Sequence, residues 1–226
     1  MNPPRMVEVR QKLLQANDLV ARDLRERFQL AEVRVIGLVS SPGSGKTTLL
    51  ERLLADLRRK YQVAALVGDL ATENDAARLA ASGARVRQII TGTVCHLDAT
   101  MVERSVSDWQ LDELDFLFIE NVGNLVCPSS FDLGEDLRLV LVSTTEGEDK
   151  PLKYPTIFQT ADATVVSKID LLKAAGCDLQ LLSRNIQGVR PGITTFNVSA
   201  RTGEGIEELE DYLISSRLES KVADAK

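Results

Sequence analysis

Met6, Val9, Leu13, Ala16, Val20, Leu24 and Phe28 recur at steps of three and four, which predicts an amphipathic helix with Arg, Glu and Gln on its other face. After this helix the period changes. VRVIGLV predicts a short buried strand, a glycine-rich turn follows, and TTLLERLLADLRRKY returns to helical spacing with basic residues in its last turn. The alternation then repeats. VAALVGD, LDFLFIE, LRLVLVST, ATVVSKID and GITTFNVSA predict strands, NDAARLAAS predicts a helix opened by Thr72 or Asn74, and GEGIEELEDYLISSRL predicts the closing helix. Continuous apolar strands separated by helices imply an α/β fold, a mainly parallel sheet covered on both faces. The expected organisation is a helical extension over residues 1–30, one nucleotide-binding domain over 31–218 and a frayed tail over 219–226. No internal repeat or low-complexity segment interrupts it.

Charge changes the picture by exclusion. With 27 Lys and Arg against 33 Asp and Glu, the net charge of −6 disfavours nucleic acid or an anionic membrane as partner. No apolar run approaches the roughly 20 residues that span a bilayer, and MNPPRMVEVRQKLL lacks the apolar core of a signal peptide, so a cytoplasmic protein is expected. Three widely spaced cysteines make no disulfide framework.

IGLVSSPGSGKTTLL, residues 36–50, supplies the first chemistry. Gly43, Ser44, Gly45, Lys46, Thr47 and Thr48 stand between a predicted strand and a predicted helix, the setting of a P-loop in which backbone N–H groups surround phosphate oxygens. Lys46 would neutralise the β and γ phosphates, and the Thr47 hydroxyl would ligate Mg²⁺. The strict pattern asks for glycine at position 40, where this chain has serine.

Asp69 and Glu120 each end a predicted strand, so both carboxylates should emerge at the carboxyl edge of the sheet, where they can hold Mg²⁺ or orient the attacking water. With Lys46 they form the expected catalytic set. ENVG, residues 120–123, resembles the DxxG element of GTPases with Glu for Asp, and the Gly123 amide would sense the γ-phosphate. SKID, residues 167–170, resembles the guanine-reading NKxD element. Asp170 would accept two hydrogen bonds from the guanine edge that adenine cannot supply, and the Lys168 stem would pack on the base. Ser167 replaces the usual asparagine, which removes one support. NVSARTGEG then places the Ala200 backbone where the SAK-type loop meets the guanine oxygen, so GTP is favoured over ATP.

The single histidine, His96, follows Cys95 directly, and Cys127 comes seven residues after Glu120. Thiolate and imidazole suit Ni²⁺ and Zn²⁺. Cysteine is also a common buried residue, so spacing alone leaves metal binding and packing both open.

Taken together, SSPGSGKTTLL, GDLATENDAARL, CHLDATMV, ENVGNLVCPSSFDLGED, KPLKYP and SKIDLL resemble, in order, the HypB family. These P-loop GTPases of the SIMIBI class help deliver nickel to NiFe hydrogenase. The resemblance implies a homodimer formed when nucleotide is bound, with a metal site at its interface, and it carries the family's metal ligands onto Cys95, His96 and Cys127. Three ligands per chain leave a tetrahedral site one short, to be completed by water or the twofold-related chain. The segment before the P-loop has neither Cys nor His, so nickel storage is not expected. The resemblance further implies a small zinc-containing nickel chaperone as partner, with the hydrogenase large-subunit precursor reached indirectly.

Because Cys127 lies shortly after Glu120 and Gly123, loss of the γ-phosphate is expected to shift Cys127 relative to Cys95 and His96 and so change metal affinity. Intrinsic hydrolysis is expected to be slow, because no Gln or Arg is evidently placed at the phosphates. Lys153 fits either a phosphate contact within a dimer or a solvated turn. The rival readings are a urease-type nickel GTPase, whose CPH motif is absent here, a GTP-dependent interaction switch without metal transfer, and an ATP-dependent kinase, against which Asp170 argues.

Overall fold

Phe116 and Phe118 face one side of the sheet while Leu117 and Ile119 face the other, as the two-residue period of a strand requires. The same alternation runs through the neighbouring strands and divides the core into layers. The computed structural model describes the backbone of residues 5–69 and 74–223, with side chains over 9–68 and 76–217.

The strands are β1 (Arg34–Ser40), β2 (Val63–Asp69), β3 (Arg85–Ile90), β4 (Phe116–Glu120), β5 (Leu137–Ser143), β6 (Ala163–Ser167) and β7 (Thr194–Asn197). They form a seven-stranded sheet in the order β3-β2-β4-β1-β5-β6-β7, parallel throughout. The helices are α1 (Arg5–Leu30), α2 (Lys46–Leu57), α3 (Asn74–Ala80), α4 (Ala99–Ser105), α5 (Lys150–Lys153), α6 (Pro155–Thr160), α7 (Leu172–Ala175), α8 (Leu179–Val189) and α9 (Ile206–Ala223).

On one face, α2 and α9 pack Leu49, Leu50, Leu53, Leu54, Leu209 and Leu213 against Ile36, Leu38, Phe116 and Phe118. Each leucine buried this way contributes about 1.5–3 kcal/mol. On the other face, α1 and α4 cover Val35, Leu66, Leu117 and Ile119 with Ala21, Leu24, Phe28 and Val102. Beside them, α6 and α8 cover Val140 and Val142 with Ile157, Phe158, Leu182 and Ile186. The chain leaves β1 for β2 on one side and crosses over β1 from β4 to β5, so the sheet's switch point lies at the carboxyl end of β1, where α/β folds bind ligands.

Three expectations are corrected. The stripe read along α1 is buried only in its second half: Ala21, Leu24 and Phe28 are enclosed with Asn17, while Val9 and Leu13 are 52% and 61% exposed. At Val9 and Leu13 the stripe has no core to face. RVRQII, which alternates charge with apolar residues and was not read as a strand, is edge strand β3. The closing helix runs on through Ala223 rather than ending at 218, since SRLESKVA contains no Gly or Pro to stop it. Thr72 lies outside the described residues, and α3 opens at Asn74.

Candidate nucleotide and metal site

The loop between β1 and α2 turns inward through two glycines in the left-handed region, Gly43 at φ 73° and Gly45 at φ 92°, conformations that cost a side-chain-bearing residue about 1–2 kcal/mol. Gly45 caps α2 without any side-chain hydrogen bond, so the first N–H groups of that helix remain available to an anion. Ser40, the departure from the strict motif, belongs to β1, where extended backbone needs no glycine. Its Oγ accepts hydrogen bonds from Lys46 Nζ (3.0 Å) and Ser44 Oγ (2.5 Å), which fixes the lysine beneath the loop.

A cavity of about 480 Å³ opens over this loop, lined among others by Gly43, Lys46, Thr47, Thr48, Glu120 and Gly123. Thr47 Oγ1 donates to Glu120 Oε1 at 2.7 Å, so the hydroxyl in the first turn of α2 and the carboxylate at the end of β4 share one place. Both are hard oxygen donors suited to Mg²⁺. The carboxyl end of β2 brings the Asp69 backbone to the same edge, but the Asp69 side chain lies outside the described residues. Gly123 lies so close to the loop that a Cβ there would meet Pro42 Cα at 2.9 Å, and only glycine permits that approach.

A second cavity of about 190 Å³ adjoins the first and shares Gly45, Thr48 and Lys168 with it. Asp170 and Ala200 line it, and Asp170 Oδ1 accepts a hydrogen bond from Ser199 Oγ at 2.7 Å. Lys168 takes a left-handed conformation, φ 58°, and its Nζ donates to the Gly43 carbonyl oxygen at 2.5 Å, joining the two loops. The support expected to be lost with the asparagine is present in another form: Ser167 Oγ donates to the Ser44 carbonyl oxygen at 2.6 Å.

Cys95, His96 and Cys127 come together, with one ligand atom from each within 4.8 Å of the others. The two Sγ atoms lie 2.9 Å apart, and the hydrogen bond to Cys127, with burial, holds the Cys95 thiol above its ordinary pKa. Burial depresses the His96 pKa against the opposing pull of Asp98, and His96 Nδ1 is buried without a hydrogen-bond partner among the described residues. A neutral imidazole with two thiols is a donor set for a soft or borderline divalent metal. His96 also stacks on Phe131, ring centroids 3.9 Å apart.

Two asparagines connect this cluster to the segment that follows β4 and lines the phosphate cavity. Asn121, 2% exposed, accepts from the Leu97 amide at 3.0 Å and from the Val122 amide at 2.9 Å. Asn124 Nδ2 donates to the Cys95 carbonyl oxygen at 3.2 Å. Both lie inside the ENVGNLVC string but were not singled out from the sequence. Arg78 was also missed. It lines the phosphate cavity and pairs with Glu51 on α2 at 2.9 Å, but an arginine inside a short helical pattern carries no distinguishing signal. Lys153 pairs with Asp149 at 2.6 Å on the surface.

Residues 34–197 match the family described as CobW/HypB/UreG, nucleotide-binding domain. The chain is 46% identical to the hydrogenase maturation factor HypB of Rhizobium leguminosarum bv. viciae, over 99% of its own length and 76% of that relative. It is 44% identical to the hydrogenase/urease maturation factor HypB of Helicobacter hepaticus, over 95% of this chain and 89% of that one. Its fold superposes with a TM-score of 0.85 on a crystal structure of HypB from Helicobacter pylori in complex with nickel, at 40% identity, covering 90% of this chain and 96% of the other.

Proposed function

This chain belongs to the HypB family of hydrogenase maturation factors, and from that premise we propose that GTP binding and hydrolysis here drive dimerisation and the handing-on of nickel. One observation carries the reading. The segment that starts with Glu120 at the phosphate cavity ends with Cys127 in the metal cluster, and between them Asn121 and Asn124 hydrogen-bond the stretch that holds Cys95 and His96.

In this reading the first N–H groups of α2 and Lys46 hold the β and γ phosphates, and Asp170 reads guanine. Thr47, Glu120 and Asp69 would hold Mg²⁺, whose charge would screen the phosphates. The Gly123 amide senses the γ-phosphate. When that phosphate leaves, Gly123 moves away from Pro42, and Asn121 and Asn124 carry the movement to Leu97 and Cys95. The distance between Cys127 and the Cys95–His96 pair then changes, and with it the affinity for nickel.

Turnover is slow in this scheme because no glutamine lines the phosphate cavity among the described residues, and Arg78 is engaged by Glu51. Nickel is the cargo, and zinc competes for the same two thiols. A second copy of the chain completes the coordination left open by three ligands. The partners are a small zinc-containing nickel chaperone and, through it, the hydrogenase large-subunit precursor. No helix among the described residues is long and apolar enough to cross a membrane, consistent with action in the cytoplasm.

The test is a titration of the tag-free protein with Ni²⁺ and Zn²⁺, in GDP and in a non-hydrolysable GTP analogue, reading affinity and mass together. A dimer in one nucleotide state with a different nickel affinity is expected. Identical affinity and mass in both states would overturn the coupling.

A further inference from the structure

Asn17 is a polar residue on the buried face of α1, 6% exposed, at the place where the stripe of Ala21, Leu24 and Phe28 would continue with an apolar side chain. A buried amide in such a position needs partners for its oxygen and its nitrogen. Asn17 Oδ1 accepts from the Ala99 amide at 2.9 Å, and Nδ2 donates to the Asp132 carbonyl oxygen at 2.8 Å. Ala99 lies three residues beyond His96, and Asp132 directly follows Phe131, the ring on which His96 stacks. One side chain of α1 thus joins the two segments that carry the metal ligands.

The rest of the helix reinforces the clamp. Arg25 Nη2 reaches both Asp132 carboxylate oxygens at 2.6 and 2.8 Å, and this pairing holds the half-buried Asp132 carboxyl below its usual pKa despite burial. Gly134, at φ 80°, lies so near α1 that a Cβ would meet the Ala21 carbonyl oxygen at 2.9 Å. Asp98 caps α4 by accepting from the Met101 amide at 2.8 Å, which makes the segment after His96 a rigid lead into that helix.

We infer that Asn17 is a positioning residue for the metal site: through Ala99 and Asp132 it sets the spacing of Cys95 and His96 against Cys127, so α1 controls metal affinity independently of the nucleotide. The inference rests on the reading of Cys95, His96 and Cys127 as metal ligands. The cluster has two handles, the asparagines of the phosphate-sensing segment on one side and Asn17 on the other. Any force that tilts or withdraws α1 loosens the ligands without touching the phosphate cavity.

The experiment compares the full chain with Asn17→Ala and Asn17→Asp in a Ni²⁺ titration, with and without GDP. It reads affinity, the thiolate-to-nickel charge-transfer band, GDP affinity and melting temperature. Groups that hydrogen-bond metal ligands directly change affinity by about 10–100-fold, and Asn17 acts one step further out through Ala99 and Asp132, so Asn17→Ala is expected to weaken nickel binding by a few-fold to about tenfold and to alter the band, with GDP affinity within about twofold of the parent. Asn17→Asp keeps the acceptor for Ala99 and loses the donor to Asp132, so it falls between the two. If Asn17→Ala does not fold, Arg25→Lys, which breaks the bidentate hold on Asp132 and leaves the apolar face intact, is read in the same way. Nickel affinity and band equal to the parent's, whatever the melting temperature does, overturn the inference alone. Absence of nickel binding by the parent chain overturns the metal reading, and the inference with it.

Discussion

Asn121 Oδ1 accepts a hydrogen bond from the Leu97 amide at 3.0 Å, which ties the residue after Glu120 to the residue after His96. Both groups are buried, so the bond is a rigid connection between the end of β4 and the turn that carries Cys95 and His96. Asn121→Ala should leave two buried amides, of Leu97 and Val122, without their acceptor and cost about 1–3 kcal/mol for each such group. It should also make nickel affinity nearly the same in GDP and in a GTP analogue. Retention of the full nucleotide effect in a folded Asn121→Ala protein would show that the coupling runs elsewhere.

The proposed base recognition rests on Asp170, which lines the second cavity. Asp170→Asn removes a carboxylate that would take two charge-assisted hydrogen bonds, each worth about 1.5–3 kcal/mol, and should weaken GTP more than tenfold. Xanthosine triphosphate, whose C2 oxygen suits an amide donor, should bind the variant better than it binds the parent. Competition between the two nucleotides measures this directly, and unchanged GTP affinity would remove the assignment.

Ser167 is predicted to act through the P-loop and not through the base. Its Oγ donates to the Ser44 carbonyl oxygen, and Ser167→Ala loses about 0.5–1.5 kcal/mol of loop anchoring. GTP and ATP should both weaken by a few-fold, preserving their ratio. A change confined to guanine nucleotides, seen by isothermal titration, would place Ser167 at the base instead.

Glu210 on α9 carries a pH signature. Burial, and then repulsion from Asp56, raise its carboxyl from 4.5 to about 7. Between those values the unfolded chain ionises while the folded chain keeps its proton, so stability falls as pH rises through that window. Glu210→Gln should be neutral below about pH 4.5 and stabilising at pH 8, by at most about 1 kcal/mol because the group is partly solvated. For a chain of this size that is a melting-temperature gain of about 2–4 °C. An equal gain at both pH values would show that packing, and not the charge, is responsible.

What could be read before folding was whatever is carried by neighbours in the chain. The P-loop, SKID and ENVG are contiguous strings whose residues act within a few positions of one another, so strand, loop and helix N-terminus were legible around Lys46, Glu120 and Asp170. Strand β3 was not, because RVRQII at a sheet edge packs only some of its positions and so lacks a continuous apolar run. The error along α1 has a related cause. Helical period reports that a face is apolar but not how far the partner surface extends, and Val9 and Leu13 lie past its end.

The sequence by itself determined a parallel α/β nucleotide-binding fold, and it supplied the candidate residues of the phosphate and guanine loops and the three candidate metal ligands as residue types. Only the tertiary structure decided that Cys95, His96 and Cys127 meet, that Ser167 and Ser40 hydrogen-bond the phosphate loop, and that Asn17 joins Ala99 to Asp132. Those contacts span long stretches of chain, 32 positions from Cys95 to Cys127 and 115 from Asn17 to Asp132. A hydrogen bond between groups so far apart imposes no period and no local propensity on the residues between them. It exists because parallel strands deliver their carboxyl ends to one edge, and because α1 packs across the loops that leave it.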